Sequence, residues 1–416
     1  MSNDDAETKS TADYREPKRW FRQHPELGTP GRLPVSPYES QEQHEVEKKY
    51  LWRRVWLMMG RVEEVEKPGQ FFVTKVPPCD AEVLVVRGRD GEIRAFHNVC
   101  THRGCPITWE EKGKEGAFKC PFHGFVFDLS GGLAAVPDEE NFYDLDKSKY
   151  SLSEINMEIW NGFIFVHFDP EPRQGLREFL AETADRLDTF PFQDATHYYE
   201  YQGQIDCNWK LVLYGFLENY HTQSLHKTSI SPLVVSHDNP FSHNLKISLS
   251  EKHRFMSLFG NPNYKPTDVG SIASKYGVSL MQVAIDADDL EDCVNPTKSD
   301  CWSFDINNIF PNFQLNVVNG TWYCHRFWPL SPDKMQMVTR VYFPKPKNAG
   351  ERFFQEYSKV TTRDVLLEDA TLGERLQSVL RSKAVEHWLL QDEEIAIQHF
   401  HHTLDKFIEH ERRDRP

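Results

Sequence analysis

The rhythm of hydrophobic and polar positions changes twice along this chain. After a polar stretch through Lys18, Pro30, Pro34 and Pro37 predict an extended connector, and Ser40 with Gln43 makes a capping-box pattern that opens a helix. Leu51, Val55 and Met58 recur at i, i+4 and i+7, the spacing of a buried helical stripe, while Val46 and Tyr50 lie on a neighbouring face. From about Arg61 to Asp169 the rhythm is that of short strands. Val83–Arg87 and Ile93–Phe96 flank Asp90-Gly91, Phe125–Phe127 runs into Ser130-Gly131-Gly132, and Ile159-Trp160 and Phe163–Val166 flank Asn161-Gly162. These are hairpin signals, so the segment is predicted to be all-β. Beyond Pro170–Pro172, helical spacing returns at Leu176–Leu187 and from Asn208 to about His226. Lys246–Leu249, Phe313–Val318 and Met335–Phe343 read as strands, and two helices, about Gln355–Arg381 and Lys383–His410, close the chain. There is no internal repeat. The predicted class is α+β: an arm and helix over 1–60, an all-β domain over 61–169, and an α+β domain with an antiparallel sheet over 170–416.

Composition narrows the function classes. The 416 residues suffice for two or three domains. Lys and Arg number 48 against 63 Asp and Glu, a net charge of −15, which argues against non-specific nucleic-acid binding and against docking on anionic lipid. No apolar run approaches the ~20 residues of a membrane helix. Met1–Ala12 is polar, without the apolar core of a secretory signal, so a cytoplasmic location is expected. Eight cysteines in a chain of this length make no disulfide scaffold, and in a reducing compartment clustered cysteines point first to a metal.

The β segment holds such a cluster. Cys100-Thr-His102-Arg-Gly and Cys120-Pro-Phe-His123-Gly each sit at a turn between strands, so two loops can pinch one site. Two thiolates and two neutral imidazoles on a [2Fe–2S] cluster raise its potential above that of an all-thiolate cluster, which is the Rieske arrangement. The alternative is a structural Cys₂His₂ zinc site. Zinc fingers pair Cys with Cys and His with His in sequence, whereas here each loop supplies one of each. Respiratory Rieske proteins carry a further cysteine in each loop. Cys105 occupies the first place, but Phe122 stands at the second, so no bridge is expected and Cys105 is read as a small buried hydrophobe.

The second domain carries Glu218-Asn-Tyr-His221 and His226. On a continuous helix Glu218 and His221 share a face, while His221 and His226 are turned by about 140°. A local helix irregularity would bring both rings to one metal. Two histidines and a carboxylate form the facial triad of non-haem Fe(II) oxygenases. Val365, Leu372, Leu376 and Val379 predict an inward stripe that also carries Asp369. A carboxylate on an apolar face costs several kcal/mol unless paired or metal-bound. Asp369 is therefore the candidate third ligand. Glu368 and Glu374 fall off the stripe, and Asp392, in the first half of the last predicted helix, is the runner-up. His399, His401 and His402 are assigned to packing, and Asn208 to a helix N-cap.

In combination, these motifs resemble the α subunit of Rieske-type non-haem iron oxygenases over nearly the whole chain. The Glu368-Asp369…Glu374…Gln377 run is similar to the one supplying the aspartate ligand in monooxygenase-type members. The resemblance implies a Rieske domain followed by a helix-grip-like catalytic domain, a [2Fe–2S] cluster on Cys100, His102, Cys120 and His123, and Fe(II) on His221, His226 and Asp369. It implies a homotrimer in which Glu218 bridges His221 to His123 of the next chain, and an O₂-dependent oxidation of an aromatic or aromatic-derived small molecule. The implied reaction leans to N- or O-dealkylation or hydroxylation, with cis-dihydroxylation as the alternative. Electrons would come from NADH through a flavin reductase and usually a ferredoxin. No Gly-x-Gly-x-x-Gly motif occurs, so NADH and flavin belong on partners. Arg103 and Lys119 are candidates for a basic patch facing an acidic redox partner. A non-enzymatic iron–sulfur carrier would account for the β domain only.

Overall fold

Asn161 and Gly162 both take left-handed backbone angles, φ 43° and 81°, and turn the chain so that Trp160 pairs with Phe163. This is the two-residue hairpin that an Asn-Gly pair favours. The computed structural model describes Tyr14 and residues 17–277, 290–318 and 321–415; the polar stretch Met1–Ala12 lies outside the described residues. Packing divides the chain into two units: Glu45–Ala184 with the segment from Glu411 onward, and the residues to His44 with Asp185–His410.

In the first of these, strands β1 (Leu57–Arg61), β2 (Gln70–Val76), β3 (Ala81–Arg87), β4 (Ile93–His97), β5 (Lys112–Lys114), β9 (Glu154–Trp160) and β10 (Phe163–His167) form an antiparallel sheet in the order β1-β10-β9-β4-β3-β2-β5. Between β5 and β9 lie β6 (Phe118–Lys119), β7 (Val126–Phe127) and β8 (Leu133–Ala135), a small sheet of their own. Phe71, Leu84, Phe96, Phe118, Phe125 and Phe127 pack between them with Cys100 and Cys120. The helix predicted from Ser40 starts as expected, with Ser40 Oγ accepting from the Gln43 N–H at 3.1 Å, and spans Gln41–Tyr50. Leu51, Val55 and Met58 are buried, but after the helix has ended, and Met58 is on β1. Their helical spacing reflects burial in a turn and a fully buried strand.

The second unit is built on an antiparallel sheet of seven strands: β11 (His197–Ile205), β12 (Lys246–Leu249), β13 (Arg254–Phe259), β14 (Trp302–Ile309), β15 (Phe313–Val318), β16 (Thr321–Ser331) and β17 (Lys334–Phe343), ordered β11-β17-β16-β15-β14-β13-β12. Three helices fix the site: α1 (Trp209–Gly215), α2 (Ala349–Leu380) and α3 (Ile395–Asp414). α2 lies close to α1 because Gly373 has no side chain; a Cβ there would meet Val212 at 3.0 Å and Cys207 at 3.1 Å. Gln377, one turn on, accepts from the Asn208 N–H at 2.7 Å, while the Asn208 side chain caps α1 by accepting from the Lys210 N–H at 3.1 Å.

Several predicted helices are corrected. Leu176–Leu187 is two helices, broken at Ala181, whose φ is 44°. The last helix starts at Ile395, not Lys383; His387–Leu389 instead pairs with Arg32–Pro34 as a two-stranded sheet. Asp392 lies just before that helix and accepts from the backbone N–H groups of Trp20 and Phe21. On α2, Val379 is 60 % exposed, and the buried line is Asp369, Gly373, Gln377 and Leu380. Among the described residues, no helix is long and apolar enough to cross a membrane.

Candidate metal centres

The two cysteine loops share one backbone pattern. Cys100 N–H donates to Cys105 O at 2.7 Å and Gly104 N–H to Cys100 O at 2.9 Å; Cys120 N–H donates to Phe125 O at 2.8 Å and Gly124 N–H to Cys120 O at 3.0 Å. Gly104 and Gly124 both take φ 76°, a region L side chains rarely adopt, which closes each loop tightly over its Cys and His. The histidine rings lie 4.7 Å apart, and both cysteines are 2 % exposed. Burial, with Cys120 alongside, pushes the Cys100 thiol up to about 11. His102 Nδ1 is buried without a hydrogen-bond partner. An orphaned imidazole nitrogen on a loop that also carries a buried cysteine suits a metal cluster and is costly otherwise. Cys105 is half-buried, less enclosed than expected, and all eight cysteines are free. His123 is exposed, and so are Arg103 and Lys119. The guanidinium of Arg103 rests over the Phe122 ring.

The triad forms because the predicted Asn208–His226 helix is broken. α1 stops at Gly215, residues 216–221 are irregular, and only Thr222–Leu225 makes a further turn. Glu218 and His221 therefore do not share a helical face. The break brings the His221 and His226 rings to 5.0 Å, a meeting that five residues of straight helix would prevent. Asp369 comes from α2: its Oδ1 lies 3.0 Å from His226 Nε2 and 3.9 Å from His221 Nε2. One atom of each residue lies within 4.8 Å of the others. The donor set and its convergence fit a 2-His-1-carboxylate iron site.

Each ring is held from behind by a glutamate. His221 Nδ1 lies 2.5 Å from Glu218 Oε1, and its backbone N–H donates to Glu218 Oε2 at 3.1 Å. His226 Nδ1 lies 2.6 Å from Glu368 Oε2, which also accepts from Ser229 Oγ at 2.5 Å. A carboxylate at Nδ1 fixes the proton there and leaves Nε2 free for a metal. Burial opposes charge on His221, but Glu218 and Asp369 outweigh it and raise its pKa. Glu368 is the functional candidate that stripe reasoning set aside. Its only sequence signal is adjacency to Asp369, since consecutive helical residues point to different neighbours. Glu368→Gln is expected to weaken iron binding by about 10- to 100-fold. Competition with a chelator would measure this, with Glu368→Asp restoring part of the loss.

Two cavities open on the triad. One, about 770 Å³ including its part open to solvent, is walled by Phe216, Phe304, Ile306, Tyr323, Val365 and Leu366. The other reaches Glu218 and His221 from the side of Trp388 and Glu394. Burial, with Glu218 nearby, pushes the Glu394 carboxyl up to about 7. His399 and His401 are buried on α3, and His399 Nδ1 accepts from Arg254 Nε at 3.0 Å.

Comparison with known proteins agrees with this geometry. The glycine betaine monooxygenase oxygenase subunit of Pseudomonas aeruginosa is 30 % identical over 202 residues, 49 % of this chain and 46 % of that one. The chain thus spans about half the length of that relative. A quaternary ammonium Rieske monooxygenase superposes with TM-score 0.74 at 19 % identity, covering 92 % of this chain and 96 % of the other. Naphthalene 1,2-dioxygenase from Rhodococcus sp. superposes with TM-score 0.73 at 20 % identity, covering 96 % and 98 %. These two show the shared fold. Residues 55–153 match the Rieske [2Fe-2S] domain, and residues 192–410 match the ring hydroxylating alpha subunit catalytic domain. With more than half its length matched by the second of these, the chain belongs to the ring hydroxylating alpha subunit family, whose paired domains carry a Rieske cluster and a mononuclear iron.

Proposed function

We propose that the chain is the oxygenase component of a multicomponent Rieske system that oxidises a small aromatic or aromatic-derived molecule with O₂, by monooxygenation (dealkylation or hydroxylation). The observation that carries this reading is the convergence of His221, His226 and Asp369 beside a largely apolar cavity, in a chain that also holds the paired Cys-His loops. Cys100, His102, Cys120 and His123 would hold the cluster, and His221, His226 and Asp369 the iron. When bound, the cluster supplies one electron at a time and the iron supplies the coordination positions for O₂ activation. The chain's own part is to orient. Glu218 and Glu368 turn the imidazoles, α2 delivers the carboxylate, and the apolar walls exclude water from the reacting centre.

We further propose a homotrimer in which exposed His123 of one chain meets Glu218 of the next, so that one carboxylate spans two imidazoles. An NADH-dependent flavin reductase, with or without a ferredoxin, would feed the cluster near Arg103 and Lys119. Eight free cysteines suit a reducing cytoplasm. The test is iron and sulfide analysis together with ¹⁸O₂ product analysis. About three irons and two sulfides per chain are expected from one [2Fe–2S] cluster plus one iron, with a single labelled oxygen in the product. Two irons without turnover would make the chain an electron carrier, and a diol with two labelled oxygens would make it a dioxygenase.

A further inference from the structure

Beyond the triad and its flanking residues, the polar residues lining the cavity are Tyr323, Thr361, Thr362, Gln314 and His325, and of these Gln314 and His325 carry buried atoms without a partner. Gln314 on β15 and His325 on β16 are directly opposite each other in the sheet, so their side chains share a face, and both line the cavity. Both are buried, at 0 % and 1 % exposure. The Gln314 amide spends one end on Asn316, with Nε2 to Oδ1 at 3.2 Å, and Oε1 has no partner. Turning the amide over exchanges which atom is left, but one always remains. His325 shares its Nδ1 with Thr339 Oγ1 at 2.7 Å, and its Nε2 has no partner. A buried polar atom left unpaired is destabilising, so two side by side in a cavity wall call for a ligand that satisfies them.

The rest of the wall limits that ligand. Phe216 stacks at a tilt over His325 with centroids 4.7 Å apart, and Tyr323 stands edge-on to it at 5.4 Å. Full burial pushes the His325 pKa down to about 3, so the ring is neutral at physiological pH. Among the described residues, no Lys or Arg lines the cavity, and its charged groups are the acids Glu218 and Asp369. A carboxylate brought to Gln314 and His325 would lose its water with no Lys or Arg in the lining to replace it.

Resting on the oxygenase reading above, we propose that Gln314 and His325 form the substrate-orienting pair. They would hold an uncharged, mostly apolar substrate by one neutral hydrogen-bonding group, such as an amide or hydroxyl, and turn its apolar part towards the triad. The pocket thus selects against carboxylated substrates, glycine betaine among them.

Calorimetric titration of the metal-loaded enzyme, without reductant so that no turnover occurs, tests this with benzamide, benzyl alcohol, benzoate and glycine betaine. Benzamide or benzyl alcohol should bind at least tenfold more tightly than benzoate or glycine betaine. Gln314→Leu and His325→Leu should each weaken the preferred neutral probe on the order of tenfold, from loss of a buried hydrogen bond. Binding of toluene should be unchanged, and Gln314→Asn should restore part of the loss. Tighter binding of benzoate or glycine betaine, no binding by either neutral probe, or variants with unaltered preference would each overturn the proposal. The wild-type panel stands even if a variant fails to fold. Iron content and the cluster spectrum of the same sample separate the two readings: missing metals would overturn the oxygenase reading, whereas intact metals with reversed preference overturn only this one.

Discussion

Asp369→Ala is expected to abolish turnover and remove the mononuclear iron while leaving the visible spectrum of the cluster unchanged. Asp369 Oδ1 is the atom on which both Nε2 nitrogens converge, at 3.0 and 3.9 Å. Without it, two neutral imidazoles remain, and a divalent iron site loses its only anionic ligand. The nearby acids do not substitute, because Glu218 and Glu368 are committed to the opposite, Nδ1, sides of the rings. The position is mid-helix, where alanine is the best helix former, so α2 should persist. Cys100, His102, Cys120 and His123, the proposed cluster ligands, belong to the other folding unit, which is why the cluster absorption should not change. Iron per chain should fall from about three to about two, the cluster's own pair. Iron analysis, the absorption spectrum and oxygen uptake on one sample check this. Surviving turnover would mean that another carboxylate completes the site.

How much of this was legible in the sequence depended on how local the information is. The Cys-His loops were legible because their Cys and His lie within a few residues of each other on tight turns, which announce themselves through Gly104 and Gly124, as the Asn161-Gly162 pair announces the later hairpin. Asp369 stands out in the sequence as an acid placed among apolar spacings, and it is buried, although the buried line runs through Gly373 and Gln377 and not through Val379. Four strands of the catalytic sheet, β11, β13, β14 and β16, were not legible. β13 and most of β14 are buried on both faces, which removes the alternation that marks a strand. β14 also carries Asp305, Asn307 and Asn308, residues that read as loop until their partners are known. Asp305 accepts from Trp302 Nε1 at 2.8 Å, and Asn307 donates to Leu315 O at 3.1 Å. α1 is buried on all sides, so its end at Gly215 left no periodic trace. Glu368 gains its meaning from His226 and Ser229, far away in sequence, and Gln314 and His325 from a cavity that only the fold assembles.

Glu218→Gln is expected to keep both metal centres and still lower turnover by roughly 100-fold, near the upper end of what losing a carboxylate behind a metal-binding imidazole costs. The substitution preserves shape, so the amide oxygen can still accept from His221 Nδ1, the contact now made at 2.5 Å. What disappears is the negative charge that stabilises a proton on the ring, the Oε2 acceptor for the His221 backbone N–H and, in the proposed trimer, the oxygen that would meet His123 of the neighbouring chain. Two roles for Glu218 then separate cleanly. If it only orients His221, iron occupancy and turnover should fall by the same factor, and added Fe(II) should restore both. If it also couples the two centres, occupancy stays near wild type, and the fault lies in the reoxidation of the reduced cluster after O₂ and substrate are added. Stopped-flow absorbance of the pre-reduced enzyme reads that step directly. Glu218→Asp, shorter by one methylene but still anionic, should recover reoxidation in part. Full recovery by the amide would instead show that charge at this position is not used in electron transfer.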